Sequence, residues 1–526
     1  MTLQDLLAVK NGSDIRGIAS KARANENITL TKDVAKALAK AFCVWLGSRV
    51  GKTQVRIALG HDPRISSPLL CEAVANGITS TGHDVVLTGL STTPSMYKII
   101  KDTEWEGGPV HGAIMITASH LPYQYNGLKF FSPDGGIESA DLQDIINLAV
   151  SYRFQEGIIG KKIHAPYLDR YAASLVQYVR EQTGEIRPLQ GKHIVVDAGN
   201  GSGGFFANKV LVPLGADTTG SQFLTPDGTF PYHSPNPEDK HAMQAICEAV
   251  SNAKADMGII FDTDVDRAGA VDCDGTEINR NRLIALISAV LLEQKPGTIV
   301  TDSVTSEGLT KFIEAKGGKH HRFKRGYKNV INEAIRLNKK GEYTPLAIET
   351  SGHAALLEND FLDDGAYVIT KLLVAFAKLA KQGKHLTDLI ADLETPKDET
   401  EIRIRFFEDC DFKTLGVKVI EDLKAYASKL KYATPAKDNH EGCRVYYNKA
   451  HGDGWGLVRM SLHEPIIPIH AESNREFGCL RILKDLYYFL QRYPFLDLSP
   501  LLMEITEKRS GIIRNLGDSF SKGNLL

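Results

Sequence analysis

The chain has 526 residues, 43% of them apolar and 24% charged, with a formal net charge of -2, a balance that fits a globular protein of about three or four domains. Near-neutral charge argues against a general nucleic-acid or membrane surface and confines any anion site to a local positive cleft. Seven cysteines (Cys43, Cys71, Cys247, Cys273, Cys410, Cys443, Cys479), odd in number and never spaced Cys-x-x-Cys, argue against disulfides and structural zinc and fit a reducing compartment. The folded pattern begins near Asn11, too early for a signal or transit peptide, and no run of about eighteen apolar residues suggests a membrane span. A cytoplasmic protein is expected, a removed organellar presequence leaving no trace.

Between residues 31 and 46, Val34, Leu38, Ala41 and Trp45 recur at helical spacing, with Thr31 as N-cap and Gly47 as stop. Val55, Ile57 and Leu59 then alternate as a strand, 66–78 is expected as a helix and 84–87 as a short strand. The apolar run 113–116 follows. The same strand grammar recurs at 193–197, 258–262, 298–300 and 345–349, implying three βα modules. Each has one strand that runs into a polar loop: Ile114 to His120, Ile259 to Asp266, and Leu346 to His353. Such carboxyl-end loops are where ligands sit in open α/β sheets. Past about residue 398 the texture shifts to alternation at 401–406, a helix near 411–430 and a strand-like 443–447. The expected fold is therefore α/β, with domains at 1–158, 159–276 and 277–398 and a smaller α+β domain at 399–526.

The first polar loop sets a hydroxyl, Ser119, beside an imidazole, His120, with a turn expected at Asn126-Gly127 and a cation, Lys129, able to reach the same loop. The second places Asp262, Asp264 and Asp266 at alternating positions, so that in an extended loop they converge on a hard cation. An EF-hand is rejected, because Arg267 and Cys273 stand where its glycine and glutamate belong. Magnesium with a phosphate partner suits the site better, Arg267 serving the phosphate. The third loop offers Glu349, Ser351 and His353 for sugar hydroxyls, with Gly352 allowing close backbone approach; the structural alternative is that Ser351 caps a helix.

Two phosphate-loop lookalikes are set aside. Residues 47–53 are one residue short of a Walker A loop and precede a strand where they should follow one. Residues 199–204 do fit Gly-x-Gly-x-x-Gly after a strand, which raises a Rossmann oxidoreductase as a rival; Asp217, however, ends no apolar strand, so the glycines are read as a tight strand-to-helix turn. The loops 60–67 and 226–231 read as structural. Arg459, Ser461 and His463 close together after a strand could cradle a phosphate.

Taken in order, these segments resemble the α-D-phosphohexomutases: Asp14-Ile15-Arg16-Gly17, the serine loop from Thr117 to Lys129, the metal loop from Asp262 to Arg267, the sugar loop from Glu349 to His353, and the distal phosphate loop from Arg459 to Pro465. The resemblance implies four domains around a central cleft, three with mixed sheets and the last mobile. It also implies a phosphoserine at Ser119, Mg²⁺ on Ser119, Asp262, Asp264 and Asp266, and a hexose 1,6-bisphosphate as intermediate or activator. Arg16, His120, Lys129 and His353 would surround the reacting hydroxyl, Lys129 and His120 serving as acid and base. Lys324 and Arg325 match the recognition loop of the third domain, while Arg459, Ser461 and His463 would hold the phosphate that is not transferred.

The chain departs from the family pattern at Leu121, Thr263, Val265, His463 and Pro468. The implied activity is interconversion of hexose 1-phosphate and 6-phosphate, glucose first, by a monomer or homodimer whose partners are phosphorylated hexoses. Two alternatives stay open at this point: a glucose 1,6-bisphosphate synthase drawing on another sugar bisphosphate, prompted by the altered distal loop, and a sugar-phosphate-binding regulator without turnover.

Overall fold

The computed structural model describes residues 2–23, 25–154, 159–407, 410–461 and 464–510; the expected boundary at 158 and His463 lie outside them. Contacts divide the chain into two compact units, residues 1–294 with 345–391 and residues 295–344 with 392–526.

The first unit opens with a mixed sheet ordered Lys10–Asn11, Asp14–Ile18, Tyr125–Ser132, Gly112–Ile116, Arg56–His61, Asp84–Leu90, Lys162–His164. Arg56–His61 runs parallel to both Gly112–Ile116 and Asp84–Leu90, whereas Tyr125–Ser132 is antiparallel to its neighbours. Gly112–Ile116 is buried at every position, the continuous apolar pattern of a strand covered on both faces. Helices Lys32–Val50, Ser67–Thr79 and Ser139–Ser151 share one core with the sheet through Leu38, Phe42, Ile78, Ile145 and Ile114.

Two local expectations change. The first helix runs through Gly47 to Val50 and ends at Gly51, which takes the left-handed cap at φ 66. Gly47 sits inside because a Cβ there would approach the Lys52 carbonyl to 2.7 Å. The segment 47–53 is thus a helix end and turn, as its position before a strand implied. Asn126-Gly127 is strand and not turn. Gly127 is there for crowding, since a Cβ would meet the Ile15 carbonyl oxygen at 2.2 Å, and Asn126 Nδ2 donates to the Ser66 and Ser67 hydroxyls.

A second sheet in this unit is ordered Glu277–Ile278, Ala268–Asp272, Met257–Phe261, Ile194–Asp197, with the last two parallel. The glycines after Ile194–Asp197 do form a tight turn, with Gly199 at φ 51 and a short 3-10 helix at Ser202–Gly204. They brace the next loop: Ser202 N–H donates to the Thr263 carbonyl at 2.8 Å, and a Cβ on Gly201 would come within 2.7 Å of that oxygen. The hairpin Leu346–Ile348 with Ala354–Leu356 and the helix Gly365–Ala380 complete the unit. That helix packs on Leu168–Thr183, with the Tyr171 hydroxyl donating to Asp364 at 2.6 Å.

In the second unit Thr298–Thr301 pairs in parallel with Lys319–Arg322. A six-stranded antiparallel sheet runs Ala433–Pro435, Cys443–Tyr447, Gly454–Val458, Ile466–Ser473, Asp398–Phe406, Leu496–Asp497. Helices Phe412–Ala427 and Cys479–Leu490 share its core through Val419, Leu423, Ile482 and Leu486. This is the expected C-terminal α+β layer. All seven cysteines are free thiols, and no helix among the described residues is long and apolar enough to cross a membrane.

Candidate active site

Ser119 follows the Gly112–Ile116 strand on a strained turn, with φ 52 in the left-handed region that costs a non-glycine residue about 1–3 kcal/mol. Its N–H is held by the Thr117 hydroxyl at 2.9 Å. The loop is organised by Arg64, fully buried. One nitrogen, Nη1, donates to the carbonyls of Pro122 (2.7 Å) and Tyr125 (3.0 Å); the other, Nη2, donates to those of Leu121 (2.6 Å) and Ser119, and Nε to the Asp62 carboxylate at 3.1 Å. Burial pushes the Asp62 carboxyl up and the Arg64 guanidinium down, each opposed by the other's charge. From the 226–231 loop, the Phe230 ring lies 5.1 Å from the guanidinium, and Gly228 passes so close that a Cβ would meet the Pro63 carbonyl oxygen at 2.2 Å.

Across from the serine, Asp262, Asp264 and Asp266 are buried, with one oxygen of each within 4.8 Å of the others. The loop turns at Val265, a β-branched residue at φ 67, where the strain is fixed by surrounding structure: Gly365 N–H donates to the Val265 carbonyl at 3.1 Å. Ser119 Oγ donates to Asp262 Oδ2 at 3.1 Å. Lys129 Nζ reaches Asp264 at 2.8 Å and Asp266 at 2.5 Å, and the Thr93 hydroxyl donates to Asp264. Burial raises the Asp262 carboxyl well above its ordinary range, helped by Asp266 and Asp264. Burial would raise Asp266 too, but Lys129, His353 and Arg267 hold it far below. Buried oxygens Asp264 Oδ1 and Asp266 Oδ1 have no hydrogen-bond partner. An all-oxygen set with such orphan acceptors fits a small hard cation of the magnesium type.

Around this pair stand the expected cations. Arg267 Nη2 lies 3.4 Å from Ser119 Oγ and donates to His120 Nδ1 at 2.5 Å. That guanidinium, then burial, then Arg16 push the His120 imidazole down to about 2. Arg16 itself pairs with Asp14 at 3.2 Å. His353 Nδ1 bonds Asp363 and lies 3.9 Å from Asp266; burial alone would lower it, yet these carboxylates raise it. In the 349–353 loop Glu349, Thr350 and Ser351 are buried, with Glu349 N–H bonded to the His353 carbonyl at 2.9 Å and Gly352 at φ 92. Ser351 caps no helix, and its buried hydroxyl is without a partner.

In the second unit Arg459 is buried, its Nε without a hydrogen bond and its Nη1 3.6 Å from Glu441. Burial lowers its pKa, against the pull of Glu441. The Arg325 N–H donates to Glu441 at 3.1 Å, as does the Ser303 hydroxyl. Lys324 is exposed, and Ser461 N–H bonds the Ile466 carbonyl at 3.1 Å.

Models of phosphoglucomutase/phosphomannomutase α/β/α domains I, II and III match residues 8–156, 165–275 and 279–396 in order. A phosphoglucomutase of Neisseria gonorrhoeae is 31% identical over 490 residues, 92% of this chain and 96% of the relative. The chain belongs to the phosphoglucomutase/phosphomannomutase family. A phosphomannomutase/phosphoglucomutase of Pseudomonas putida is 28% identical over 464 residues, 86% of this chain and 92% of the relative. A crystal structure of a family protein from Burkholderia thailandensis superposes with TM-score 0.77 at 29% identity, covering 94% of this chain and 98% of that one. The protein is accordingly an enzyme, an intramolecular phosphotransferase, with three α/β domains and a C-terminal α+β domain.

Several residues escape a sequence reading even with the family in hand. Arg64 and Phe230 sit in loops whose turn residues and caps read as structural, and Thr93 and Asp363 carry no local signal. Glu441 is a lone acid before Gly442. A hint for Arg64 is its setting, His61-Asp62-Pro63-Arg64, directly after the strand next to the serine strand.

Proposed function

We propose that the enzyme interconverts glucose 1-phosphate and glucose 6-phosphate through a phosphoserine at Ser119 and a glucose 1,6-bisphosphate intermediate. The observation that carries this reading is the Ser119 hydroxyl 3.1 Å from Asp262 at the rim of a buried three-carboxylate cluster with Lys129 beside it. The sugar is supported by relatives from Neisseria named phosphoglucomutase, and relatives named for both mannose and glucose make mannose the second sugar to assay.

Phosphoserine Ser119 gives its phosphoryl group to a sugar hydroxyl: the new bond forms at the sugar oxygen, the bond to Oγ breaks, and the hydroxyl proton leaves to a base. After the bisphosphate turns over, the other phosphate returns to the same oxygen. Lys129 donates to Asp264 and Asp266 as an ammonium; as the neutral amine it would become once a cation took its place on those carboxylates, it is the group we assign to accept that proton and to return it in the second transfer. His120, with Nδ1 accepting from Arg267, stays neutral and keeps its proton on Nε2, so it serves as a hydrogen-bond donor. Arg267 and Arg16 offset charge on the phosphoryl oxygens, where electrostatics and positioning dominate. Asp262, Asp264 and Asp266 would hold Mg²⁺, which would supply Lewis-acid charge to the transferring phosphoryl group. Glu349 and Ser351 read sugar hydroxyls, and Arg459 and Ser461 take the phosphate that is not transferred.

A product assay with glucose, mannose and N-acetylglucosamine phosphates tests this, with bisphosphate activator and Mg²⁺ present. Isomerisation fastest with glucose and abolished in Ser119→Ala is expected. Full turnover by Ser119→Ala would end the covalent mechanism, and net bisphosphate accumulation without isomerisation would replace mutase by synthase.

A further inference from the structure

Far along the chain from the serine loop, the turn closing the Ala268–Asp272 strand meets the short helix Leu386–Ile390. Three donors of different chemistry converge there: Asp272, buried, and Cys273 and His385, both exposed. The Cys273 sulfur lies 3.3 Å from His385 Nδ1 although 112 residues separate them, and one ligand atom of each residue falls within 4.8 Å of the others. A tetrahedral ion with about 2.3 Å to sulfur and about 2.0 Å to nitrogen holds those two atoms about 3.5 Å apart. The observed spacing is within a few tenths of that.

The frame around the donors is fixed. Asp272 and Gly275 close a tight turn, the Gly275 N–H on the Asp272 carbonyl at 2.9 Å with Gly275 at φ 83. Asp272 Oδ1 accepts Cys273 N–H at 2.9 Å; Oδ2 accepts both the N–H and hydroxyl of Thr387 at 3.0 and 2.6 Å. Oδ1 therefore keeps a lone pair, and its carboxylate is oriented by the same segment that carries the histidine. The His385 backbone N–H donates to Asp388 at 2.8 Å, which fixes the main chain carrying the imidazole. The Thr387 bonds to Asp272 are of the kind that orient a metal ligand. Asp272, Asp274 and Asp256 also set a negative field at the sulfur. That field opposes a free thiolate, and so an oxidant-sensing cysteine, but favours a cation.

We propose that Asp272, Cys273 and His385 form a second metal site, for a thiolate-preferring divalent ion of the zinc type, with its fourth position open to solvent. One sulfur, one imidazole and one carboxylate differ in softness from the all-oxygen aspartate cluster, so the two sites sort metals between them. The single cysteine places the site outside the Cys-x-x-Cys spacing on which zinc is usually recognised. Binding exchanges the thiol proton for the ion and releases that proton to solvent. The bound ion ties the 272–276 turn to the 385–390 segment.

The test is a cobalt titration of the full-length enzyme, stripped by chelator and then saturated with Mg²⁺. Expected are a near-ultraviolet thiolate-to-cobalt charge-transfer band saturating at one ion per chain, its bleaching by Zn²⁺, and proton release on binding. Cys273→Ser should lose the band and His385→Ala should weaken Co²⁺ binding at least about ten-fold, both with wild-type mutase turnover under Mg²⁺. Absence of the band at saturating Co²⁺, an undiminished band in Cys273→Ser, or unchanged affinity in His385→Ala would each overturn the site.

Discussion

Replacing Arg64 with methionine, an apolar side chain of similar length, removes five donor bonds at once. Asp62 is left as a fully buried carboxylate without a cation, since its side chain is 0% exposed and what remains to it are neutral donors: the residue-64 N–H and the Ser67 and Thr117 hydroxyls. Breaking a buried pair this way costs about 3–5 kcal/mol, and each carbonyl stripped of its donor adds about 1–3 kcal/mol before relaxation. A loss of at least about 4 kcal/mol is expected for Arg64→Met on these terms. Adding Asp62→Asn removes the unpaired charge and should recover about half of that loss. It should not recover catalysis, because the carbonyls of Ser119, Leu121 and Tyr125 still lack the guanidinium and that of Pro122 keeps only the Tyr125 N–H. Urea unfolding and the rate of Ser119 phosphorylation by glucose 1,6-bisphosphate separate the two effects. An Arg64→Met enzyme within about 1 kcal/mol of wild type, with an unchanged phosphorylation rate, would refute Arg64 as the organiser of the serine loop.

Three further outcomes are expected. Gly201→Ala drives a methyl to 2.7 Å from the Thr263 carbonyl, so overpacking of about 1–3 kcal/mol falls on the aspartate loop and the Mg²⁺ concentration for half-activation rises; unchanged metal dependence would refute the bracing role. Asp264→Asn should raise that concentration at least about 100-fold, measured by Mg²⁺ titration of turnover. His320 is half-buried between the Thr301 and Thr310 hydroxyls, and desolvation with Arg322 and Arg444 holds its pKa well below 6.5. As pH falls below about 6.5 the unfolded chain binds a proton that the folded one refuses, so this group withdraws about 1.4 kcal/mol of stability per pH unit. Urea unfolding of wild type and His320→Gln should therefore converge between pH 7 and pH 5; a constant gap would contradict the assignment.

What could be read from the chain is what lies local in it. Ser119 and the three aspartates announce themselves because each follows an apolar strand within a few residues, and the backbone period alone aims alternate carboxylates together. Arg64 does not, since its partners are carbonyls 55 to 61 residues away and no side-chain pattern marks a carbonyl. Thr93 meets Asp264 across 171 residues for the same reason. Glycines mislead when their cause is crowding: Gly127 reads as a turn and Gly47 as a stop, yet both exist to let another backbone approach. Val265 shows the converse, a β-branched residue bent to φ 67 where sequence propensity favours extended chain.

The most direct test of the central claim is intact-mass analysis with peptide mapping after incubation with glucose 1,6-bisphosphate and Mg²⁺. One phosphoryl group on Ser119, discharged when glucose 1-phosphate or glucose 6-phosphate is added, is the predicted result. An unmodified Ser119 in an enzyme that turns over at full rate, or a phosphoryl group carried by another residue, would contradict it.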